Sequence, residues 1–261
     1  MTNHWPQTVA KFMPSETDAI ILCGGAGTRL RSVTGEAPKS LATIGDRPFL
    51  GILINQLRRH GFDHVILAVG YQRDLIRSYF ENRKHDVSLE YSIESTPLGT
   101  GGALRNAAEF VSSDDVLILN GDSYTDADLS GLVTQHRKSQ ADLSVVVVPT
   151  DGRADCGLVS VDQDGRVWGF KEKQSATGTQ FVNAGIYMAD KKLLYEMPPN
   201  QRVSLEEELF PRLLAEGKNI RAFHHPGKCV DIGTPERYIR AQEALANVEL
   251  HGFSVTKCPQ Q

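Results

Sequence analysis

The sequence lacks the patterns that mark several large classes of protein. Its four cysteines, Cys23, Cys156, Cys229 and Cys258, are scattered and form no CxxC pair, which disfavours a zinc site or a redox motif. No apolar run approaches the roughly 20 residues that a membrane-spanning helix needs, so we expect no membrane contact. Residues 1–17 hold no apolar signal core, and reduced thiols in a cytoplasmic protein are therefore the expectation.

The sequence also has no excess of positive charge. The 28 Lys and Arg residues are outnumbered by 32 Asp and Glu, which argues against the basic face of a nucleic-acid binder. A small anionic ligand is still compatible with this balance, because a local cluster of cations is enough to bind it. Hydrophobic residues make up 40% of the 261 residues, which is enough for one large domain with a sizeable core.

The chain is organised around a short apolar run that ends in a glycine-rich turn, within residues 18–41. Residues 19–22 have the length and β-branched content of a strand. A glycine turn lets backbone amides approach an anion closely, and the cations after it suit a polyphosphate. The spacing fits neither a Walker loop nor a Rossmann fingerprint, and an ordinary surface turn with solvated cations is the alternative. The residues concerned are Gly24, Gly25, Gly27, Thr28, Arg29 and Lys39.

Strands and helices alternate through the first half of the chain, which predicts an α/β fold with a doubly wound, mostly parallel sheet. The second half changes to strand-like segments with short links, which predicts an antiparallel or mixed part that receives a second substrate. The predicted strands are 64–69, 88–93, 115–119, 143–148, 157–161, 167–172 and 181–188, with a short one near 229–231. The predicted helices are 47–60, 72–80, 99–111, 204–216 with a Ser204 cap and a glutamate three places later, and 235–248 with a Thr234 cap. Residues 1–17 are interpreted as an extension, 18–248 as a single domain and 249–261 as a loose tail.

Three ligand-competent segments lie at predicted strand ends. In a doubly wound sheet, ligands bind beyond the carboxyl ends of the strands. The first glycine turn, the second glycine-rich segment 94–102 and Asp122 all follow strands. We therefore expect them to converge at one rim of the sheet.

Asp122 and Asp231 each follow a short apolar run and are candidate metal ligands, because carboxylate oxygens suit magnesium. A single aspartate at a strand end is more often a cap or a turn former. Asp114, Asp126 and Asp128 are interpreted in that way.

Two further segments carry groups that can bind hydroxyls or an anion. In 170–173, Glu172 offers a carboxylate for paired hydroxyls and Lys173 an ammonium for phosphate, although a solvated charge run is the alternative. In 183–185, Asn183 can donate to and accept from hydroxyls, and Gly185 permits close approach.

The pairing of GGAGTRL with PKSL resembles the signature of sugar-1-phosphate nucleotidyltransferases, and the resemblance extends over about 18–246. It implies a Rossmann-like fold of GT-A type in which a sugar phosphate attacks the α-phosphorus of a nucleoside triphosphate and pyrophosphate leaves. It also implies a Mg²⁺ ion held by Asp122 and Asp231. The segment 171–174 resembles the family's Glu-Lys-Pro element, with Gln174 in place of proline.

The resemblance implies three overlapping sets of site residues. The catalytic set is Arg29, Lys39, Asp122 and Lys173. The nucleotide-binding set is Leu22, Gly24, Gly25, Gly27, Thr28, Arg29, Lys39, Glu94, Gly99, Thr100 and Asp122. The sugar-phosphate set is Gly121, Glu172, Lys173, Asn183 and Gly185.

Within the family, PLGTGGAL, NGDSY and SLEEELFP resemble the branch that joins GTP to D-glycero-α-D-manno-heptose 1-phosphate for bacterial capsule or lipopolysaccharide. Glu94 can accept hydrogen bonds from the N1 and N2 donors of guanine, although a salt-bridged glutamate at a strand end is an equal alternative. Mannose 1-phosphate with GTP, or another sugar 1-phosphate with UTP or dTTP, stays open. A catalytically inactive nucleotide-sugar-binding regulator is the alternative from another class. The sequence leaves the oligomeric state open, and a homodimer is one candidate.

Overall fold

A computed structural model describes residues 13–83, 85–150, 157–171 and 181–246. The strands are β1 (Asp18–Leu22), β2 (Thr43–Ile44), β3 (Arg47–Pro48), β4 (His64–Val69), β5 (Ser88–Ile93), β6 (Asp115–Asn120), β7 (Ser123–Tyr124), β8 (Leu143–Pro149), β9 (Leu158–Val161), β10 (Val167–Lys171), β11 (Phe181–Asp190), β12 (Ile220–His224) and β13 (Val230–Asp231). The α-helices are α1 (Arg31–Thr34), α2 (Phe49–Arg59), α3 (Arg73–Glu81), α4 (Gly99–Ala107), α5 (Leu129–Ser139), α6 (Lys191–Tyr195), α7 (Phe210–Ala215) and α8 (Pro235–Leu245).

One large mixed sheet runs through the described residues in the order β10-β9-β11-β6-β1-β4-β5, with β8 pairing both β11 and β12. The strands β5, β4, β1 and β6 are mutually parallel, so their carboxyl ends share one edge. β11 then runs antiparallel to β6, to β8 and to β9, and β10 runs antiparallel to β9. The predicted α/β class with a parallel first half and an antiparallel second part is confirmed.

Helices cover both faces of this sheet because its central strands are apolar on both sides. In β1, Ile21 packs in one hydrophobic cluster and Ile20 in the other, and both side chains are fully buried. Successive side chains of a strand point to opposite faces, so a continuous apolar run is typical of a strand buried between two layers. Leu53 of α2 belongs to the first cluster and Leu104 of α4 to the second.

The start of β1 is fixed by a buried carboxylate. The Asp18 carboxylate accepts hydrogen bonds from the backbone and hydroxyl groups of Ser112 and Ser113, and its other oxygen lies 2.8 Å from His64 Nδ1. Burial raises the pKa of Asp18, but these hydrogen bonds outweigh it and hold the pKa below its usual value. Asp18 therefore stays ionised and ties the start of β1 to the loop that leads into β6.

The predicted helix 204–216 is divided in the structure. Residues Leu205–Leu209 form a π-helical turn, and α7 follows it. Pro211 has no N–H to bond the carbonyl of Glu207, which explains why an ordinary α-helical ladder does not run through this point. Ser204 is the cap, as predicted, since its hydroxyl accepts from Glu207 N–H at 3.1 Å. The carboxylate that accepts from the Ser204 N–H belongs to Glu208 rather than to Glu207, because a π-helical turn contains more residues than an α-helical turn.

Several boundaries also differ from the prediction. α4 ends at Ala107 and continues as a 3₁₀ turn, Ala108–Phe110. α8 begins after the Thr234 cap, as predicted, while 247–248 lie outside the described residues. The elements α5 and β12 were not predicted. No helix in the described ranges has both the length and the apolar character that a membrane span requires.

Candidate active site

The carboxyl ends of β1, β5 and β6 border a cavity of about 400 Å³. The predicted site residues that line it are Leu22, Gly24, Gly25, Lys39, Glu94, Gly99, Thr100, Gly121 and Asp122. The predicted convergence of the two glycine-rich segments and Asp122 at one rim is therefore seen in the structure. The cavity has the size of an ordinary small-molecule site.

The first glycine turn passes directly over Lys39. Gly27 has a φ of +57°, and a Cβ at this position would lie 2.6 Å from Lys39 Cβ. A side chain at Gly27 would therefore displace Lys39. Beneath the turn, Lys39 Nζ donates to Asp122 Oδ2, and the two side chains are 17% and 36% exposed. The turn thus fixes a cation against the predicted metal ligand.

Gly27, Thr28 and Arg29 do not line the cavity itself, although they were predicted to bind nucleotide. Thr28 and Arg29 are exposed. A Cβ at Gly233 would lie 3.8 Å from Arg29 Nη2, so the guanidinium sits beside the turn that follows Asp231. In this structure Arg29 therefore lies beside the turn that follows the second predicted metal ligand and does not line the cavity.

The pairing of β13 with β7 brings the two predicted metal ligands together. Asp231 lies opposite Ser123, and the N–H of Ile232 donates to the carbonyl of Asp122 at 3.0 Å. Asp231 Oδ1 accepts from Gly233 N at 3.0 Å and from Arg237 Nη1 at 3.1 Å. The backbones of the two segments are therefore paired at this point, and each carboxylate already contacts a cation of the chain.

This donor set fits a hard divalent cation. Both candidate ligands are carboxylates, and the described residues contain no cluster of three or more His, Cys, Asp or Glu side chains that could enclose a metal ion. Magnesium is typically held by one or two carboxylates together with substrate phosphates rather than by a complete protein cage. Asp122 and Asp231 therefore match magnesium better than a structural zinc.

Glu94 lies at the end of β5 with its carboxylate at the cavity wall. The residue is 8% exposed, and its Oε2 accepts from the backbone N–H of Leu98 at 3.3 Å. Burial raises the pKa of Glu94, while the Leu98 N–H acts in the opposite direction. No ion pair among the described residues includes Glu94. The alternative of a salt-bridged glutamate therefore finds no support in this part of the chain.

The second glycine-rich segment is explained largely by packing. A Cβ at Gly99 would lie 2.6 Å from the carbonyl oxygen of Val203, and one at Gly102 would lie 2.4 Å from that of Gln201. Gly99 also has a φ of +70°, which side chains rarely adopt. These glycines let α4 approach the backbone of 201–203, whereas the prediction for Gly99 was a contact with the nucleotide. Gly99 and Thr100 nevertheless line the cavity.

The predicted sugar turn is a bulge in β11. The register with β8 shifts between Asn183 and Tyr187, and Gly185 has a φ of +73°. A Cβ at Gly185 would lie 2.7 Å from Ser123 Oγ and 2.8 Å from Asn120 Nδ2. Only glycine therefore fits where this bulge presses against the end of β6. Asn183 and Gly185 do not line the cavity, but Gly185 adjoins Asn120, which does.

The amide of Asn183 is partly occupied within its own strand. Asn183 Oδ1 accepts from Gly185 N at 3.0 Å, and Asn183 Nδ2 donates to the Tyr187 hydroxyl at 2.7 Å. The predictions for Glu172 and Lys173 lie outside the described residues, immediately after β10.

Three hydrophilic residues of the cavity were missed. Ser40 and Asn120 line the cavity, and in the described structure Ser40 Oγ and Asn120 Oδ1 are buried without a hydrogen-bond partner. Both adjoin predicted site residues in sequence, which was a usable signal. Arg202 also lines the cavity, but it comes from a distant segment and lies just before the SLEEELFP motif, not within it.

The aspartates predicted to be structural include two with clear local contacts. Asp128 caps α5 by accepting from Gly131 N at 3.0 Å. Asp126 Oδ1 lies 2.9 Å from His225 Nε2. Cys23 lines the cavity floor, but burial raises the pKa of its thiol, so it is not a nucleophile at neutral pH.

Comparisons with known proteins point to one family. The nucleotidyl transferase family model matches residues 18–248. The D-glycero-alpha-D-manno-heptose 1-phosphate guanylyltransferase of Aneurinibacillus thermoaerophilus is 37% identical over 228 residues, which cover 87% of this chain and 98% of that protein. The mannose-1-phosphate guanylyltransferase of Mycobacterium tuberculosis is 35% identical over 88% of this chain and 65% of that protein.

A solved structure is similar over the same region. The crystal structure of HddC from Yersinia pseudotuberculosis complexed with GMP-PN has a TM-score of 0.77 and 31% sequence identity to this chain. The match covers 88% of this chain and 99% of that one. With the family model matching most of the chain, the chain belongs to the nucleotidyl transferase family, and it is a sugar-1-phosphate nucleotidyltransferase.

Proposed function

We propose that the chain joins GTP to D-glycero-α-D-manno-heptose 1-phosphate, giving GDP-heptose and pyrophosphate for a bacterial surface polysaccharide. The observation that carries the guanine half is the buried carboxylate of Glu94 at the cavity wall. An acceptor at this position matches the N1 and N2 donors of guanine, which adenine lacks. The sugar half is supported by the similarity to a heptose 1-phosphate guanylyltransferase along almost its whole length.

In the proposed reaction, a phosphate oxygen of the sugar 1-phosphate forms a bond to the α-phosphorus of GTP. The bond from that phosphorus to the bridging oxygen of the β-phosphate breaks, and pyrophosphate leaves with the electron pair. Both substrates are anionic, so the chain contributes chiefly charge neutralisation and positioning. Lys39 and the amides of the first glycine turn would hold the triphosphate, with Arg29 at the turn's outer end.

The remaining roles follow from the same arrangement. Asp122 and Asp231 would hold a Mg²⁺ ion, which when bound would neutralise phosphate charge. Gly121 and the Asn183–Gly185 bulge would face the sugar, with Glu172 on its hydroxyls and Lys173 on its phosphate. The contact of Asp122 with the cavity cation Lys39, together with Asp231 on the paired strand, supports catalysis over a regulator that only binds a nucleotide sugar, because binding alone does not require a metal-ion site.

The same proposal covers the domain and cellular context. Residues 18–248 would form a single catalytic domain in the cytoplasm, preceded by an extension over 1–17 and followed by a tail over 249–261. The homodimer stays a prediction, which gel filtration with light scattering would test.

Mannose 1-phosphate with GTP is the second candidate, favoured by the 35% identity to a mannose-1-phosphate guanylyltransferase. Mannose shares the ring stereochemistry of the heptose and lacks only its seventh carbon and hydroxyl. The test is a competition between the two sugar phosphates at equal concentration with GTP. Mostly GDP-heptose supports the proposal, whereas mostly GDP-mannose would assign the chain to the mannose branch.

Glu94→Gln is expected to weaken GTP use by about ten- to hundredfold in kcat/KM, since a hydrogen bond to a charged group is worth roughly 1.5–3 kcal/mol. The protein should be at least as stable as the wild type at pH 7. Burial raises the pKa of Glu94, so its ionised form opposes folding above that raised pKa and has no effect below the unfolded value. Pyrophosphate release and thermal denaturation measure the two effects.

The pH profile supplies the control for this variant. Wild-type affinity for GTP should fall as the pH drops through the raised pKa of Glu94, because a protonated carboxyl offers one acceptor less. Glu94→Gln should lack that limb of the profile. Glu90→Gln is the matched variant on the same strand, with a half-exposed side chain outside the cavity. Equal losses in both variants would remove Glu94 from base recognition.

A further inference from the structure

One carboxylate joins the nucleotide side of the site to the sugar side. Glu206 lies in the π-helical turn, and its two oxygens contact three hydroxyl groups from three separate segments. Oε2 accepts from Thr100 Oγ1 at 3.1 Å and from Ser204 Oγ at 3.3 Å, and Oε1 accepts from the Tyr187 hydroxyl at 3.4 Å. Thr100 lines the cavity, while Tyr187 belongs to β11, which carries the sugar bulge.

On the nucleotide side, these contacts determine whether the Thr100 hydroxyl can donate or accept a further hydrogen bond. A threonine hydroxyl has one hydrogen to donate and two lone pairs. Its hydrogen goes to Glu206, and one lone pair accepts from the N–H of Leu205 at 2.8 Å. Thr100 therefore meets a ligand in the cavity as an acceptor. That polarity matches the N–H donors of guanine or the hydroxyl donors of ribose.

On the sugar side, the same carboxylate acts through a buried tyrosine. Tyr187 is fully buried, and its hydroxyl donates to Glu206 and accepts from Asn183 Nδ2 at 2.7 Å. Because the Tyr187 hydroxyl accepts from Asn183 Nδ2, the orientation of the Asn183 amide is fixed, and its oxygen accepts from Gly185 N. Asn183 retains one N–H and one lone pair beyond these contacts, in a set orientation.

We propose that Glu206 is a positioning residue that orients Thr100 for the nucleotide and, through Tyr187, Asn183 for the sugar. The proposal rests on the proposed function, since Thr100 and Asn183 take their ligands from it. Loss of Glu206 would free the Thr100 hydroxyl to rotate and remove the carboxylate oxygen that accepts from the Tyr187 hydroxyl. Loss of a buried hydrogen-bond partner favours rearranged side chains. Both substrates should then bind less well.

The test compares Glu206→Gln, Tyr187→Phe and Glu208→Gln with the wild type, using the substrate pair that the wild type converts best. Glu206→Gln is expected to raise the KM of both substrates by about tenfold. Tyr187→Phe cuts only the branch to Asn183, so it should raise the KM of the sugar phosphate alone. Glu208→Gln alters the same turn at the Ser204 N–H, so it should lower the melting temperature and leave both KM values unchanged.

The split between the two KM values separates positioning from a general loss of structure. Equal kinetics in Glu206→Gln and Glu208→Gln would overturn the proposal, and so would equal KM increases in Tyr187→Phe. Calorimetric titration with GTP alone tests the nucleotide branch without turnover. About tenfold weaker binding by Glu206→Gln supports that branch, and unchanged binding contradicts it. A wild type that binds GTP but makes no GDP-sugar would refute the proposed function while leaving this titration decisive for Glu206.

Discussion

Replacing Asp122 with Asn should lower turnover by about 100- to 1000-fold, the range typical of losing one preorganised electrostatic group. The side chain is 36% exposed at the rim, so the isosteric amide should leave the fold intact. Asn cannot provide the negative charge that would anchor Mg²⁺, and it no longer balances Lys39. Pyrophosphate release should therefore need a higher magnesium concentration to reach its maximum.

The matched control for this prediction is Asp126→Asn. Asp126, like Asp122, comes soon after β6 in the chain, but its carboxylate faces His225 outside the cavity. Its turnover and magnesium dependence should match those of the wild type. Near-normal turnover of Asp122→Asn at limiting magnesium would show that Asp122 does not anchor the ion.

Replacing Lys39 with Met should produce an effect of similar size on turnover. Met keeps the aliphatic stem on which Gly27 packs, but it removes the cation that contacts Asp122 at the cavity. The expected loss is about 100-fold or more in kcat, because the charge is needed where negative charge develops on the transferred phosphate. Steady-state kinetics over both substrates would measure it.

Lys192→Met serves as the comparison for that variant, since Lys192 is 90% exposed and lies on α6, away from the cavity. It should be kinetically silent. If Lys39→Met kept a wild-type kcat and altered only the KM of GTP, Lys39 would contribute binding and not transition-state stabilisation. Unchanged kinetics would reduce the first glycine turn to an ordinary turn.

The parts of the site that the sequence predicted are those with local causes. The apolar run of β1 ending in glycines, and that of β6 ending near Asp122, follow from strand periodicity and from glycine's freedom at a turn. Because the carboxyl ends of parallel strands share an edge, the meeting of these segments follows from the fold class alone. The contact between Lys39 and Gly27 has a local cause as well, because both residues belong to the same segment, 18–41.

The parts that sequence did not predict depend on contacts between distant segments. Arg202 reaches the cavity because residues 201–203 pack on the glycines of α4, an approach that no local pattern reports. Glu206 was one of three consecutive glutamates, and only its contacts with Thr100 and Tyr187 distinguish it. Asp231 was predicted from its motif, whereas its contact with Arg237 became visible only in the structure.

The central claim, a guanylyltransferase that acts on a sugar 1-phosphate, is tested most directly by one measurement. The wild-type protein is mixed with magnesium, the heptose 1-phosphate and equal concentrations of GTP, ATP, UTP and dTTP, and the nucleotide-sugar products are quantified. We expect GDP-heptose as the dominant product, with pyrophosphate in equal amount. A dominant UDP- or dTDP-sugar would contradict the base assignment and the role of Glu94 with it, and the absence of any nucleotide sugar would contradict the proposed activity.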